Sequence, residues 1–114
     1  MTVPDTPFEI ESVLDADTGC LKLSGELDLA SVSRVEQAVD AALAQGARTL
    51  TLDLSELSFV DSSGLRLFVV LNDRAIAEGW KLTMTRPLEQ AMAVFVVSGL
   101  EENLPFAEQR RTVA

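Results

Sequence analysis

The sequence predicts an α/β domain: a mixed sheet of four or five strands, opened by an N-terminal hairpin, its later strands parallel, with three or more helices mainly on one face. Three observations lead there. Two short segments of alternating apolar residues stand on either side of a turn-rich run, Asp15-Ala-Asp-Thr-Gly19. Beyond them, segments with helical spacing and β-rich segments take turns, giving the order β-β-α-β-α-β-α-β. Right-handed strand-helix-strand crossovers then set the later strands parallel and their helices on a common face. The chain of 114 residues is also long enough for one ordinary core, since about two-thirds of its extended surface can be hidden on folding. Residues 1–114 read as a single domain, with a core over about 8–106 and a loose tail over 107–114.

Each element has its own signal. Phe8 to Leu14 alternates loosely, with Phe8, Ile10 and Val13 inward, and reads as a strand. Cys20 to Ser24 alternates again and completes the hairpin; Gly25-Glu-Leu-Asp28 ends it. From Leu29 to Gln45 the residues Val32, Val35, Ala38, Val39, Ala42 and Leu43 recur at helical spacing, and Gly46 supplies the stop. Thr49 to Leu54 is β-rich and apolar at alternate positions, the pattern of a central strand; a short polar loop then leads into Phe59-Val60. Ser62 to Glu78 is a helix closed by Gly79, and Trp80 to Thr85 is a strand with Trp80 in or beside the core. Pro87 stands where a first helical residue belongs, and Leu88 to Ser98 is the third helix. Leu104-Pro-Phe106 is a short last strand, confined to an edge by Pro105.

Composition excludes several functions. Lys plus Arg is 9 and Asp plus Glu is 18, a formal charge of −9. Nucleic acid and anionic membrane surfaces both require a basic face and are not expected as partners. Residues 1–47 hold nine acids against two bases, so the N-terminal half is mostly solvated surface able to steer a basic partner. The absence of His removes Ser-His-Asp and Cys-His catalysis and His-ligated metal sites. The lone Cys20 forms no internal disulfide and reads as a strand residue, which fits a reducing compartment. The longest apolar run, Ala91 to Val97, is far short of a membrane span, and Met1 to Pro7 does not read as a signal peptide. The expectation is a cytoplasmic binding module with no catalytic residues, cofactor or metal, a monomer or weak dimer.

The informative stretch is Asp53-Leu-Ser-Glu-Leu-Ser-Phe-Val-Asp-Ser-Ser-Gly-Leu65. Asp61, Ser62 and Ser63 offer side-chain oxygens to the free amides of a helix start, and Gly64 permits close approach of another backbone or a partner. Plain capping is the simplest account. Yet no Glu or Gln follows at capping-box spacing, and Arg66 puts a cation in the first turn, the wrong sign for the helix dipole. Such a cation becomes sensible if an anion is housed nearby. Leu65, Leu67, Phe68, Val69, Val70 and Leu71 are apolar nearly all round the helix. Either that helix is buried on two sides or it carries an apolar patch beside the serines that docks a protein.

With these residues in view, the chain resembles the STAS domain, and in particular the bacterial anti-sigma factor antagonists of the sporulation and stress-response type. The resemblance covers about residues 8–106. It rests on Gly25-Glu-Leu-Asp28, Asp53-Leu-Ser, Val60-Asp-Ser-Ser-Gly-Leu65 and Val97-Ser-Gly-Leu100. It implies a protein that binds an anti-sigma factor with serine kinase activity and so releases a sigma factor. Phosphorylation by that kinase switches binding off, and a metal-dependent serine phosphatase restores it. By motif position the phosphoacceptor is Ser63, Ser62 supports the loop, and Asp28 lies close to the acceptor. Asp61, Gly64, Leu65, Arg66 and Phe68 complete the expected phosphorylation loop and partner surface. Arg66 departs from the small or apolar residue that many relatives carry, and Arg86-Pro87 is no hallmark of the family.

Two rival readings are weighed against it. Asp28, Asp53 and Asp61 gathered as a metal or acid-base cluster, or Ser63 paired with Lys22 or Lys81, would make an enzyme. A STAS scaffold subunit of a stress-signalling or lipid-transport complex would have a different partner.

Overall fold

The computed structural model describes residues 7–107. The sheet contains β1 (Glu9–Asp15), β2 (Thr18–Leu27), β3 (Thr49–Val60) and β4 (Lys81–Met84); the helices are α1 (Val32–Ala44), α2 (Ser62–Glu78) and α3 (Glu89–Val97). Strand order is β1-β2-β3-β4, with β1 and β2 antiparallel and the other pairs parallel. The expected mixed sheet with an opening hairpin is therefore present. The fifth strand is reduced to one parallel bridge, Met84↔Phe106, in which Met84 donates to the Pro105 carbonyl at 2.9 Å and accepts from Ala107 at 2.7 Å. Pro105 has no amide to extend the ladder, so it stops there. Beyond Ala107 the expected loose tail lies outside the described residues.

One face of the sheet makes the core. Leu21, Leu23 and Leu27 of β2 and Leu50, Leu52 and Leu54 of β3 are buried in one cluster with Val35 and Val39 of α1, Leu67, Phe68 and Leu71 of α2, and Phe95 of α3. Phe68 lies 5.8 Å from Phe95, whose other side meets Phe106 edge-on at 5.3 Å. The alternate residues, among them Cys20, Lys22, Thr51 and Thr83, line the opposite, half-exposed face. Burial, then the charge of Asp53, pushes the Cys20 thiol above its ordinary value. Thiolate, the reactive form, is correspondingly scarce.

Four local expectations are corrected. Val13 is 64 % exposed, and Leu14 packs on the core in its place, as the alternation from Phe8 through Ile10 dictates. Helix α1 begins at Val32, not Leu29, because Asp28 to Ser31 fold into a turn. Pro87 is not a first helical residue: α3 starts at Glu89 with Leu88 as its extended cap, and the Leu88 amide is taken by the Leu57 carbonyl at 3.2 Å. Finally, no polar loop interrupts β3. The strand runs from Thr49 to Val60 with register shifts against β2 between Lys22 and Ser24 and between Gly25 and Glu26. Each shift gives β3 one extra residue, within Leu54-Ser55 and at Ser58, as a bulge. Ser58 Oγ donates to the Gly25 carbonyl at 3.1 Å, and Gly25 adopts the left-handed φ of 93° that the irregularity needs.

Candidate functional site

The bulges decide what lies side by side at the end of the sheet. After them the register pairs Leu27 with Val60, and the Asp61 amide donates to the Leu27 carbonyl at 3.1 Å. Asp28 and Asp61 thus follow neighbouring parallel strands at their C-terminal ends, where α1 and α2 depart. This is the region in which open α/β sheets present their loops.

Each aspartate builds one of those departures. Asp28 Oδ1 accepts from the Ala30 amide at 3.0 Å and the Ser31 hydroxyl at 3.2 Å, while its carbonyl accepts from the Ser31 and Val32 amides. The tight turn expels Leu29, which is 76 % exposed. Asp61 caps α2 from an extended backbone, its Oδ1 accepting from the Gly64 amide at 3.1 Å. The Leu65 amide meets the Asp61 carbonyl at 3.0 Å. Capping is thus real at Asp61, and it leaves the first-turn amides of Ser62 and Ser63 without a protein acceptor among the described residues.

Gly64 and Phe68 serve the site from beneath. Gly64 is buried, and a Cβ there would stand 2.5 Å from Val60 Cγ2 and 3.0 Å from Leu27 Cδ2. The close approach expected at Gly64 is therefore that of its own strands, not of a partner. Phe68 has no exposed surface and anchors α2 to α3 through Phe95, so it is core and not part of an exposed docking surface. Leu65 is half-buried against the core.

Above them, α1 and α2 flank a surface hollow of about 290 Å³. Leu29, Val32 and Glu36 form one wall; Ser63, Arg66, Leu67 and Val70 form the other. Val70 is 45 % exposed beside the hollow, whereas Leu67, Phe68 and Leu71 are buried and Leu65 and Val69 pack on the core, so the core takes up most of the apolar circumference of α2. Leu29 and Glu36 are missing from the site expected from the sequence, whereas Val70 belongs to the apolar set expected on α2 and Val32 to the apolar spacing of α1. The available signal was Leu29, an apolar residue outside the periodicity of the helix that follows.

The serines differ in their engagement. The hydroxyls of Ser31, Ser55 and Ser58 are bonded to Asp28, Asp53 and Gly25 respectively. Among the described residues those of Ser62 and Ser63 have no protein partner. Ser62 is exposed on the outer side, and half-buried Ser63 faces the hollow.

The rival groupings do not assemble. Asp53 lies back along β3, where its Oδ1 accepts from the Ser55 amide and hydroxyl and from Thr85 Oγ1. Burial pushes its carboxyl up, but these bonds outweigh that effect and hold it below its ordinary value. Lys22 pairs with Glu56 at 3.0 Å, and Lys81 opens β4 opposite Thr49, at the other end of the sheet from Ser63. Among the described residues no cluster of three acidic or Cys side chains is placed to hold a metal ion. No described helix is long and apolar enough to cross a membrane.

The site is thus a pair of serines at a helix start, at the end of a mixed sheet and beside a partly apolar hollow. The chain belongs to the STAS domain family: the family model described as "Mlab, STAS domain" matches residues 11–106. It is 33 % identical over 94 residues to an anti-sigma F factor antagonist of Lysinibacillus sphaericus, covering 82 % of this chain and 80 % of that one. Its fold matches the anti-sigma factor antagonist SpoIIAA in unphosphorylated form with a TM-score of 0.69 at 27 % identity, over 90 % of each chain. The Bacillus cell-fate determinant SpoIIAA in phosphorylated form matches with a TM-score of 0.64 at 27 % identity, over 90 % of this chain and 93 % of that one.

Proposed function

We propose that the protein is an anti-sigma factor antagonist. Its unphosphorylated form binds an anti-sigma factor that is also a serine kinase, and phosphorylation of Ser63 ends that binding until a metal-dependent serine phosphatase reverses it. The observation that carries the reading is the hollow itself. It places an unengaged serine hydroxyl at a helix start, between the exposed apolar side chains of Leu29 and Val70. The 33 % identity to an anti-sigma F factor antagonist supports the choice of partner.

Ser63 acts here as a substrate. In the transfer, its oxygen forms a bond to the γ-phosphorus of ATP, the bond to ADP breaks, and the hydroxyl proton passes to a base of the kinase. The phosphate brings about −1.5 to −2 charges and three acceptor oxygens. The fold tolerates it, because free amides and the dipole at a helix start favour an anion. The interface does not. Asp28 and Asp61 sit at adjacent strand ends below the same helix start, so a partner that covers the site must desolvate like charges together; a unit pair at about 6 Å repels by roughly 3 kcal/mol at an effective dielectric near 20, and by more as water is expelled. A loss of about 4 kcal/mol weakens binding roughly a thousandfold. Bulk in the hollow adds to the effect, so no large conformational change is required.

The decisive experiment is capture of the partner by the unmodified protein from a bacterial lysate. Recovery of a kinase-type anti-sigma factor is expected; recovery of a membrane transport complex in its place would overturn the reading. Incubation with that kinase and ATP, followed by mass spectrometry, should locate phosphate on Ser63. Phosphate confined to Ser55, Ser58 or Ser62 would show the acceptor to be wrong. Ser63→Ala should bind irrespective of ATP, whereas Ser63→Asp should lose most of its affinity.

A further inference from the structure

The proposed switch leaves Arg66 without a role, and its surroundings supply one. Most cations of the described chain are engaged. Lys22 pairs with Glu56, Arg74 with Asp40 and Glu78, and Arg86 with Glu101. Arg34 donates to the Phe8 carbonyl at 3.0 Å and lies over the Phe8 ring. Arg48 and Lys81 stand at the far end of the sheet, joined by a backbone bond of 2.9 Å. Arg66 alone lies beside the serines, exposed, with no ion pair or side-chain hydrogen bond among the described residues.

In the unmodified protein two opposing fields act on it. A cation in the first helical turn opposes the dipole, while the Asp61 cap and Glu36 across the hollow attract it. It shares both a helix face and the hollow with Ser63, three residues earlier, a spacing that brings Cβ atoms to about 5–6 Å. The other charged group lining the hollow is Glu36 on α1, and Asp28 and Asp61 stand at the neighbouring strand ends; all three are acidic. A phosphoryl group on Ser63 would therefore meet one cation within reach.

We propose that Arg66 is the internal counter-cation of phosphorylated Ser63, closing on the phosphate oxygens, stabilising the inactive form and slowing its hydrolysis. This inference rests on Ser63 as the acceptor. It makes the Arg66 contribution depend on the modification, larger after it than before. A guanidinium suits the task, because its planar fork meets two phosphate oxygens at once.

The test installs phosphoserine at position 63 by genetic encoding, so no kinase enters. Wild type, Arg66→Ala and Arg66→Lys are compared with serine and with phosphoserine. Phosphorus NMR should show the second phosphate ionisation, ordinarily near pH 6, lower in the arginine protein than in Arg66→Ala by about half a unit or more, with Arg66→Lys between. Arg66→Ala should lower the melting temperature of the phosphorylated protein by more than that of the unmodified one. A generic metal-dependent serine phosphatase should release phosphate several-fold faster from Arg66→Ala. Equal phosphate titration and equal melting shifts in the three proteins would overturn the inference. Failure of the acceptor reading is seen separately, as a kinase that leaves Ser63 unmodified.

Discussion

Gly64 shows how much one absent side chain can decide. Its hydrogen occupies the space between Val60 and Leu27, and this lets the first turn of α2 settle on the ends of β2 and β3. Alanine would gain about 1 kcal/mol of helix propensity, but a Cβ at 2.5 Å from Val60 Cγ2 forces side chains or the helix to shift. Overpacking of this kind costs about 1–3 kcal/mol. Gly64→Ala should therefore lower the urea midpoint in spite of its better propensity; a raised midpoint would mean that Val60 simply turns away. The importance of Gly64 was legible in Asp61-Ser-Ser-Gly64, whereas its purpose was not. The atoms that crowd it include those of Leu27, distant along the chain and brought near only by sheet register.

Strand β3 carries the second lesson. Its ends were plain from local pattern, apolar alternation at Thr49–Leu54 and again at Phe59-Val60, but the residues between them are polar and mimic a loop. What makes them strand is pairing with β2, and pairing is a tertiary fact. The same holds for Pro87, whose local signature suits a helix start while the Leu57 carbonyl claims the next amide for an extended segment. Periodicity was sufficient for α2, whose bounds Ser62 and Glu78 coincide with the expected ones, because cap and stop both lie in the local sequence. The β3 bulges also give a testable link from sheet to site. Ser58 Oγ bonds the Gly25 carbonyl two residues before Leu27, whose own carbonyl receives the Asp61 amide. Ser58→Ala should cost about 1 kcal/mol and speed hydrogen exchange at the Asp61 amide. If exchange there is unchanged, the hydroxyl does not hold the site register.

Over the whole molecule, charge governs the response to acid. The chain carries a net −9, and among the described residues Asp53 and Glu78 are the carboxylates held clearly below their ordinary values. Glu78 owes this first to the Trp80 indole N–H, at 3.0 Å, and then to Arg74. Asp53 owes it to Ser55 and Thr85 against the opposing effect of burial. A carboxylate whose ionisation is easier in the fold than in the unfolded chain contributes stability above the unfolded value, near pH 4, and loses it as the pH falls through the folded value. Protonation of the other acids meanwhile relieves self-repulsion and acts in the opposite direction. The two effects separate in a variant. Asp53→Asn keeps an acceptor oxygen for Ser55 and Thr85 but does not titrate, so its deficit relative to wild type should be full at neutral pH. It should then shrink as the pH falls below about 4, because wild-type Asp53 becomes neutral there while the general charge relief is common to both proteins. Urea unfolding of the pair at stepped pH measures the difference directly. Curves that stay parallel down to acid would show that the bonds to Asp53 do not favour its charged form, and that the acid response belongs to the overall charge alone.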